Sequence, residues 1–354
     1  MTANENPAVA YDVQTAKQEA VKAWLRPNSN IVGIGIGKKT VEGKPVDCVR
    51  FYVVAKLDED KLSPKSKLPS YIELPGPDAG NPIRVPTAVI PVGKFGSRGR
   101  WPRPQPNSQA PSGPGSRIRV KTSAPNVNEG ATGTLGAVVT DDDNKYILSC
   151  NHILAVNGRV PTNAKVVDAE FVGNEETIAA PGPFVPLKDD PAPNLVDCAL
   201  ARLNGTTREM HVAFPDGYVL SPGPIKPDRD MKVTKFGATT HRTYGTIVDT
   251  DADLYIDYSF GTFRFEHQLM IEGDEKPDSQ RHGGPESLGY AAEADRVFAR
   301  SGDSGSVVLD TATGRPAALI FAASGRFAVA CPLTTERGEG ALDLLGQNLK
   351  LVTA

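Results

Sequence analysis

The chain has 354 residues, with 39 Lys and Arg against 42 Asp and Glu, a net charge of −3. That balance excludes a general nucleic-acid binder, which needs a basic surface to neutralise phosphates. The 34 glycines and 30 prolines exclude a coiled coil and favour short strands joined by turns.

The length allows two or three domains of roughly 100–200 residues. No apolar run approaches the roughly 20 residues that a spanning helix requires. Residues 1–10 are polar, so neither a membrane contact nor an export signal is expected. Cys48, Cys150, Cys198 and Cys331 are scattered, with no CxxC pair. That pattern suits buried free thiols in a cytoplasmic protein better than a zinc site or a disulfide scaffold.

The first unit, residues 1–93, reads as a small α+β domain. Val13, Ala20, Val21, Trp24 and Leu25 follow a helical spacing, which Pro27 ends. Residues 30–38 and 46–57 predict a hairpin about the turn at Glu42-Gly43-Lys44-Pro45, and residues 68–75 and 83–92 two more short strands. Gly33, Gly35 and Gly37 invite a phosphate-loop reading. They alternate, however, and a second strand follows rather than a helix, so a strand needing close backbone approach is preferred.

Residues 94–118 predict a linker, with Pro102, Pro104, Pro106, Pro111 and Pro114 set among Gly, Ser and Arg. From residue 119 to 354 the pattern is many short strands between turns, with a long polar loop over residues 272–289 and a closing helix over 339–349. Asp141-Asp142-Asp143-Asn144 reads as a hairpin turn, since it lacks the spacing of a calcium loop.

The chemistry-bearing segment is Gly302-Asp303-Ser304-Gly305-Ser306, directly before the apolar run Val307-Val308-Leu309. A serine in a glycine-rich turn suits a nucleophile, and the N–H groups of Gly302 and Ser304 are candidate oxyanion donors. A serine hydroxyl needs a base. Among five histidines, His152 follows an apolar strand and is the candidate; His211, His241, His267 and His282 lie in more polar text. No histidine pair has the helical spacing of a zinc hydrolase. Asp197 opens an otherwise apolar stretch and is the candidate carboxylate partner, because an acid there asks for one. Asp168 is a weaker candidate, and Asp189 and Asp190 read as exposed loop acids. Each segment alone also has a plain structural reading, as a turn, a core histidine or a strand-end acid.

Taken together, Gly133-Thr134-Leu135-Gly136, Cys150-Asn151-His152, Asp197-Cys198-Ala199-Leu200 and Gly302 to Ser306 resemble the trypsin-like, chymotrypsin-fold serine peptidases. The order His, Asp, Ser is that of this family and differs from the α/β-hydrolases and subtilisins. Lys235 to Thr240 and Tyr244 to Ile247 resemble the intracellular group that includes the plant narrow-leaf proteins. The resemblance implies a mainly β protein, a double β-barrel of the chymotrypsin type behind the α+β unit. It implies a serine endopeptidase acting through His152, Asp197 and Ser304 on a protein or peptide substrate, with no cofactor or metal, in the cytoplasm, and is compatible with a homo-oligomer. It places Phe298 at the base of a primary pocket and Phe321, Ala322 and Ala323 in its wall, which favours apolar or small side chains. The freed N-terminus that pairs with the acid beside the serine in digestive members is absent, which leaves Asp303 without an evident partner. A latent peptidase-fold binding module, and a peptidase regulated by residues 1–93, are the other readings.

Overall fold

The computed structural model describes residues 7–57, 67–76, 81–96, 112–122, 132–169, 176–204, 210–275, 296–346 and 348–353. Residues 97–111 of the expected linker, residues 276–289 of the expected loop, and His282 lie outside the described residues.

Helix α1 (Pro7–Trp24) turns Val13, Ala16, Ala20 and Val21 inward, a spacing that puts them on one face. They pack on Ile34, Ile36, Val49 and Phe51 of the expected hairpin, β1 (Ile31–Val41) and β2 (Lys44–Val53). Glu42 and Gly43 at its tip have φ of 48° and 78°, the two-residue turn that matches strand twist. Beside them lie β3 (Tyr71–Leu74) and β4 (Ile83–Pro91), the latter parallel to β2.

The next strands are β5 (Arg117–Lys121), β6 (Thr132–Thr134), β7 (Ala137–Thr140), β8 (Lys145–Ser149), β9 (Lys165–Asp168), β10 (Thr177–Phe184) and β11 (Ala199–Leu203). Their neighbour order is β7-β8-β11-β10-β9-β5-β6. Only Leu135 and Gly136 separate β6, at one end of this order, from β7, at the other, so the sheet curls on itself. At the turn after β7, the Asp141 carboxylate accepts the Asp143 and Asn144 N–H groups and the Tyr146 hydroxyl. Its oxygens hold the hairpin turn.

The second barrel holds β12 (Lys232–Gly237), β13 (His241–Tyr258), β14 (Gly261–Gly273), β15 (Val307–Asp310), β16 (Pro316–Ser324) and β17 (Phe327–Pro332). The order β12-β15-β16-β17-β14-β13 closes because β12 also pairs with the first residues of β13. The protein is mainly β, and its two curled sheets resemble the double barrel of the chymotrypsin type. The closing helix is shorter than expected: Ala341–Leu345 ends before Gly346, and the tail becomes β18 (Lys350–Leu351) against β7. Glycine is a poor helix former, and strand pairing takes the chain beyond it.

β13 runs far beyond Tyr244–Ile247, the stretch that the sequence singles out. Beyond its pairing with β12 it pairs with β1, through Gly33 opposite Leu254 and Ile34 opposite Asp253. The first unit thus extends the second barrel's sheet to ten strands. Gly35 explains part of the glycine alternation: a Cβ there would stand 1.9 Å from Asp249 Oδ2. Buried Asp249 accepts hydrogen bonds from Ile36 N–H at 2.9 Å and the Tyr52 hydroxyl at 2.7 Å. Burial pushes its pKa up to about 6 against those donors. Lys17 of α1, also buried, reaches Asp253 at 2.6 Å and Asp251 at 3.0 Å.

Candidate active site

β8 ends at Ser149 and hands the chain to a single helical turn, α2 (Asn151–Leu154), which carries His152. Asp197 lies two residues before β11, with no exposed surface. One Asp197 oxygen accepts the His152 backbone N–H at 3.1 Å, and the other stands 2.5 Å from His152 Nδ1. A carboxylate can only accept, so Nδ1 is the donor of this pair. His152 Nε2 is buried and makes no hydrogen bond among the described residues.

A third donor completes Asp197. The Tyr258 hydroxyl, at the far end of β13, donates to its Oδ2 at 2.7 Å, and the Tyr258 ring centre lies 5.1 Å from that of His152. Burial and then the Asp197 charge push the Tyr258 phenol well above its ordinary pKa, so it remains a donor.

Ser304 sits in the turn before β15, and its hydroxyl donates to the Phe321 carbonyl at 3.4 Å. The Cys150 thiol, two residues before His152, donates to the adjacent Ile320 carbonyl at 3.2 Å. His152 and Ser304 are therefore brought to the same stretch of β16, from different barrels. Burial holds the Cys150 pKa well above its usual value, which favours the thiol over the thiolate.

The serine turn is clamped by the first barrel. Thr134 donates its N–H to the Ser304 carbonyl at 2.8 Å and its hydroxyl to the Gly302 carbonyl at 2.7 Å. Gly302 and Gly305 have φ of 98° and 95°, the left-handed region open to glycine. The N–H groups of Gly302 and Ser304 find no acceptor among the described residues.

Asp303 does have a partner, which corrects the expectation from sequence. The fully buried Lys235 ammonium lies 3.5 Å from Asp303 Oδ2 and also donates to the His241 carbonyl at 3.0 Å and to the Thr240 hydroxyl. Asp303 further accepts the N–H groups of Thr239, Thr240 and Arg300 and the Thr240 hydroxyl. Burial lowers the Lys235 pKa, and the Asp303 charge opposes that fall. An internal cation thus pairs with the acid beside Ser304. The sequence gives little sign of it, because Lys235 shares residues 231–236 with Lys232 and Thr234. Tyr258 gave no signal, because it lies beyond the stretch that reads as a strand.

The remaining expected residues are placed as follows. Phe298 has no exposed surface and packs in the second barrel's core with Val233, Ile247 and Ile271, its carbonyl accepting the Thr243 hydroxyl. Phe321 packs on Phe265, Ala322 is buried, and Ala323 is half-buried on the same strand. Asp168 accepts the Ser112 hydroxyl, and exposed Asp190 accepts the Tyr255 hydroxyl at 2.7 Å. His267 pairs with Asp251 at 2.6 Å, on β13 and away from the Asp197–His152 pair.

No protein-family model and no curated protein sequence matches the chain. Solved structures do match. Protease A of Thermobifida fusca is 14% identical with a TM-score of 0.43, over 69% of this chain and all of that one. A glutamic-acid-specific serine protease is also 14% identical, with a TM-score of 0.41 over 68% of this chain and 99% of that one. Nocardiopsis protease gives 14%, 0.40, 68% and 97% in the same order.

Proposed function

We propose that the chain is a serine endopeptidase in which Ser304 is the nucleophile, His152 the general base and Asp197 its orienting partner. The observation that carries this reading is the Asp197–His152 pair. Nδ1 is engaged at 2.5 Å and Nε2 is left without a partner among the described residues, while Cys150, two residues before His152, and Ser304 bond neighbouring carbonyls of β16.

In this mechanism the Ser304 hydroxyl turns from the Phe321 carbonyl toward Nε2, gives up its proton there and attacks a peptide carbonyl. Nucleophile–base hydrogen bonds commonly tighten only when substrate is bound. Asp197 stabilises the resulting imidazolium while Tyr258 and the His152 N–H hold the carboxylate. The oxyanion forms against the free N–H groups of Gly302 and Ser304, where losing one donor costs about 10²–10³ in rate. His152 then returns the proton to the leaving amine, and water releases the acyl group by the same steps.

The four cysteines are free and buried, which supports a reducing compartment and the intracellular group of the family. The wall formed by Ala322 and Ala323 supports small or apolar substrate side chains. Residues 1–93 are assigned a regulatory role, supported by the pairing of β1 with β13.

Labelling with a fluorophosphonate, followed by peptide mass spectrometry, tests the reading. Label is expected on Ser304 and is expected to vanish in Ser304→Ala and His152→Ala. A folded wild type that takes no label overturns it.

A further inference from the structure

Resting on the peptidase reading, we infer that residues 92–96 of this same chain cover the edge of β16 at Ala323–Ser324 along which an extended peptide would lie. An extended peptide substrate must displace that segment. The observation is a pair of backbone bridges at Gly96, antiparallel to Ala323 and parallel to Asp257.

A strand has two edges. One edge of β16 is taken by β17 along its length, as far as Ser324 opposite Phe327. The other pairs with β15 only at its start, through Val307 opposite Leu319. Along that second edge, Ile320 exchanges hydrogen bonds with Gly305 and Ser306, and the Phe321 carbonyl takes the Ser304 hydroxyl. Two residues further comes Ala323. Because β17 holds the opposite edge, Gly96 must sit on the edge that carries Ser304. A peptide with its reacting carbonyl at Ser304 would extend along this same edge, since adding a strand there satisfies its backbone groups.

The direction is that of a substrate. β16 passes Ser304 at Phe321 and then leaves it, so a chain antiparallel to β16 at Ala323 heads toward Phe321 and Ser304. The segment is also anchored. Phe95 is buried in the main core, with 1% exposure, and its carbonyl accepts the Asp257 N–H at 3.1 Å. Val92 N–H donates to the Val53 carbonyl at 2.8 Å. Gly93 has φ of 75°, and a Cβ on it would stand 2.6 Å from Ser324 Oγ, so a side chain is excluded there. Asp257 immediately precedes Tyr258, the buttress of Asp197, so the segment touches both walls of the site. The ligand class that fits is an extended peptide with a small residue opposite Ala323.

The test uses the full chain carrying Ser304→Ala, so that nothing is cleaved. A fluorescent synthetic peptide of residues 90–100 is titrated and its polarisation read. A tethered segment competes at an effective concentration near millimolar, so releasing it is expected to tighten peptide binding about tenfold or more. Phe95→Ala and Gly96→Pro are expected to show that gain. If either fails to fold, the double variant Gly96→Cys/Ala323→Cys reads the same contact. Oxidised, it locks the segment and weakens peptide binding; reduced, it binds the peptide more tightly than the oxidised form does. Equal affinity across parent and variants, or between the two redox forms, overturns the inference, as does no binding to any folded form. Fluorophosphonate labelling of the Ser304 protein reports separately on the peptidase reading, because that small reagent needs the nucleophile and not the edge.

Discussion

Replacing Lys235 with methionine isolates the internal cation of the serine turn. Lys235 and Asp303 both have fully buried side chains, with Nζ 3.5 Å from Oδ2. Lys235→Met keeps most of the volume and leaves the Asp303 carboxylate held only by Thr239, Thr240 and Arg300. Removing one partner of a buried ion pair costs about 3–5 kcal/mol. At roughly 2–4 °C per kcal/mol the expected fall in Tm is about 10 °C, which leaves a folded protein at room temperature. Asp303 lies between Gly302 and Ser304, so its displacement moves both proposed oxyanion donors. The rate of fluorophosphonate labelling is then expected to drop about 100-fold or more. The double variant Lys235→Met/Asp303→Asn removes both charges and is expected to recover most of the lost Tm, because no charge is left buried alone. The assay pairs thermal melts with labelling rates across the four proteins of the cycle. A Lys235→Met protein that melts and labels like wild type would refute the reasoning, as would a double variant no more stable than the single one.

Tyr258→Phe deletes one of three donors to Asp197, and a hydrogen bond to a charged group contributes about 1.5–3 kcal/mol; the labelling rate is expected to fall about 10–100-fold and the Tm by several degrees. Asp249 binds its proton more tightly folded, near pKa 6, than unfolded, near 3.8, so its contribution is present at low pH and lost as pH rises between those values. The loss is about 3 kcal/mol, and denaturant melts of Asp249→Asn should lack that part of the slope seen in wild type. Asp251 has the opposite sign. Burial raises its pKa, but hydrogen bonds from His267 and Gln14 and the Lys17 charge bring it down to about 2. Its contribution is therefore full above about 3.8 and lost as pH falls to about 2, which Asp251→Asn melts in acid would report. Gly35→Val would drive a side chain into Asp249 and is expected to lower Tm by several degrees, with early proteolysis between the first unit and β13 as the local readout.

The two barrels were legible because their strands are short, apolar and bounded by turns, and because His152, Asp197 and Ser304 each stand at the end of such a strand. β13 was half legible. Residues 244–250 alternate, but Asp249, Asp251, Asp253 and Asp257 then interrupt the pattern, and the pairing with β14 shifts register three times between Ile247 and Leu254. Period-two reading fails at a bulge, where one side chain changes face. Three of the acids are tolerated there because of partners far away in sequence, Tyr52 for Asp249 and Lys17 for Asp251 and Asp253, while Asp257 is held locally by Thr262. Lys235 and Asp303 were hidden in the same way. Each is costly when read alone, and the two stand 68 positions apart in the chain.

That unreadable stretch of β13 is also the mechanical link of the molecule. Its first residues close the second barrel on β12, its middle residues Asp253 and Leu254 carry β1, Asp257 receives Phe95, and Tyr258 holds Asp197. Only four residues separate the seam with the first unit from the tyrosine that supports the proposed base. Along an extended strand this is about 13 Å, at roughly 3.3 Å per residue. A sheet that continues from β3 to the proposed active site gives the first unit a rigid route to Tyr258. The packed Lys17, Asp251 and Asp253 at the seam make that route sensitive to charge. For this reason Lys17→Met is expected to do more than loosen α1. It strands two acids on β13, and the loss of stability should be accompanied by slower labelling of Ser304. Slower labelling with unchanged reactivity in a Tyr258→Phe background would place the effect on this strand; additive losses would place it elsewhere.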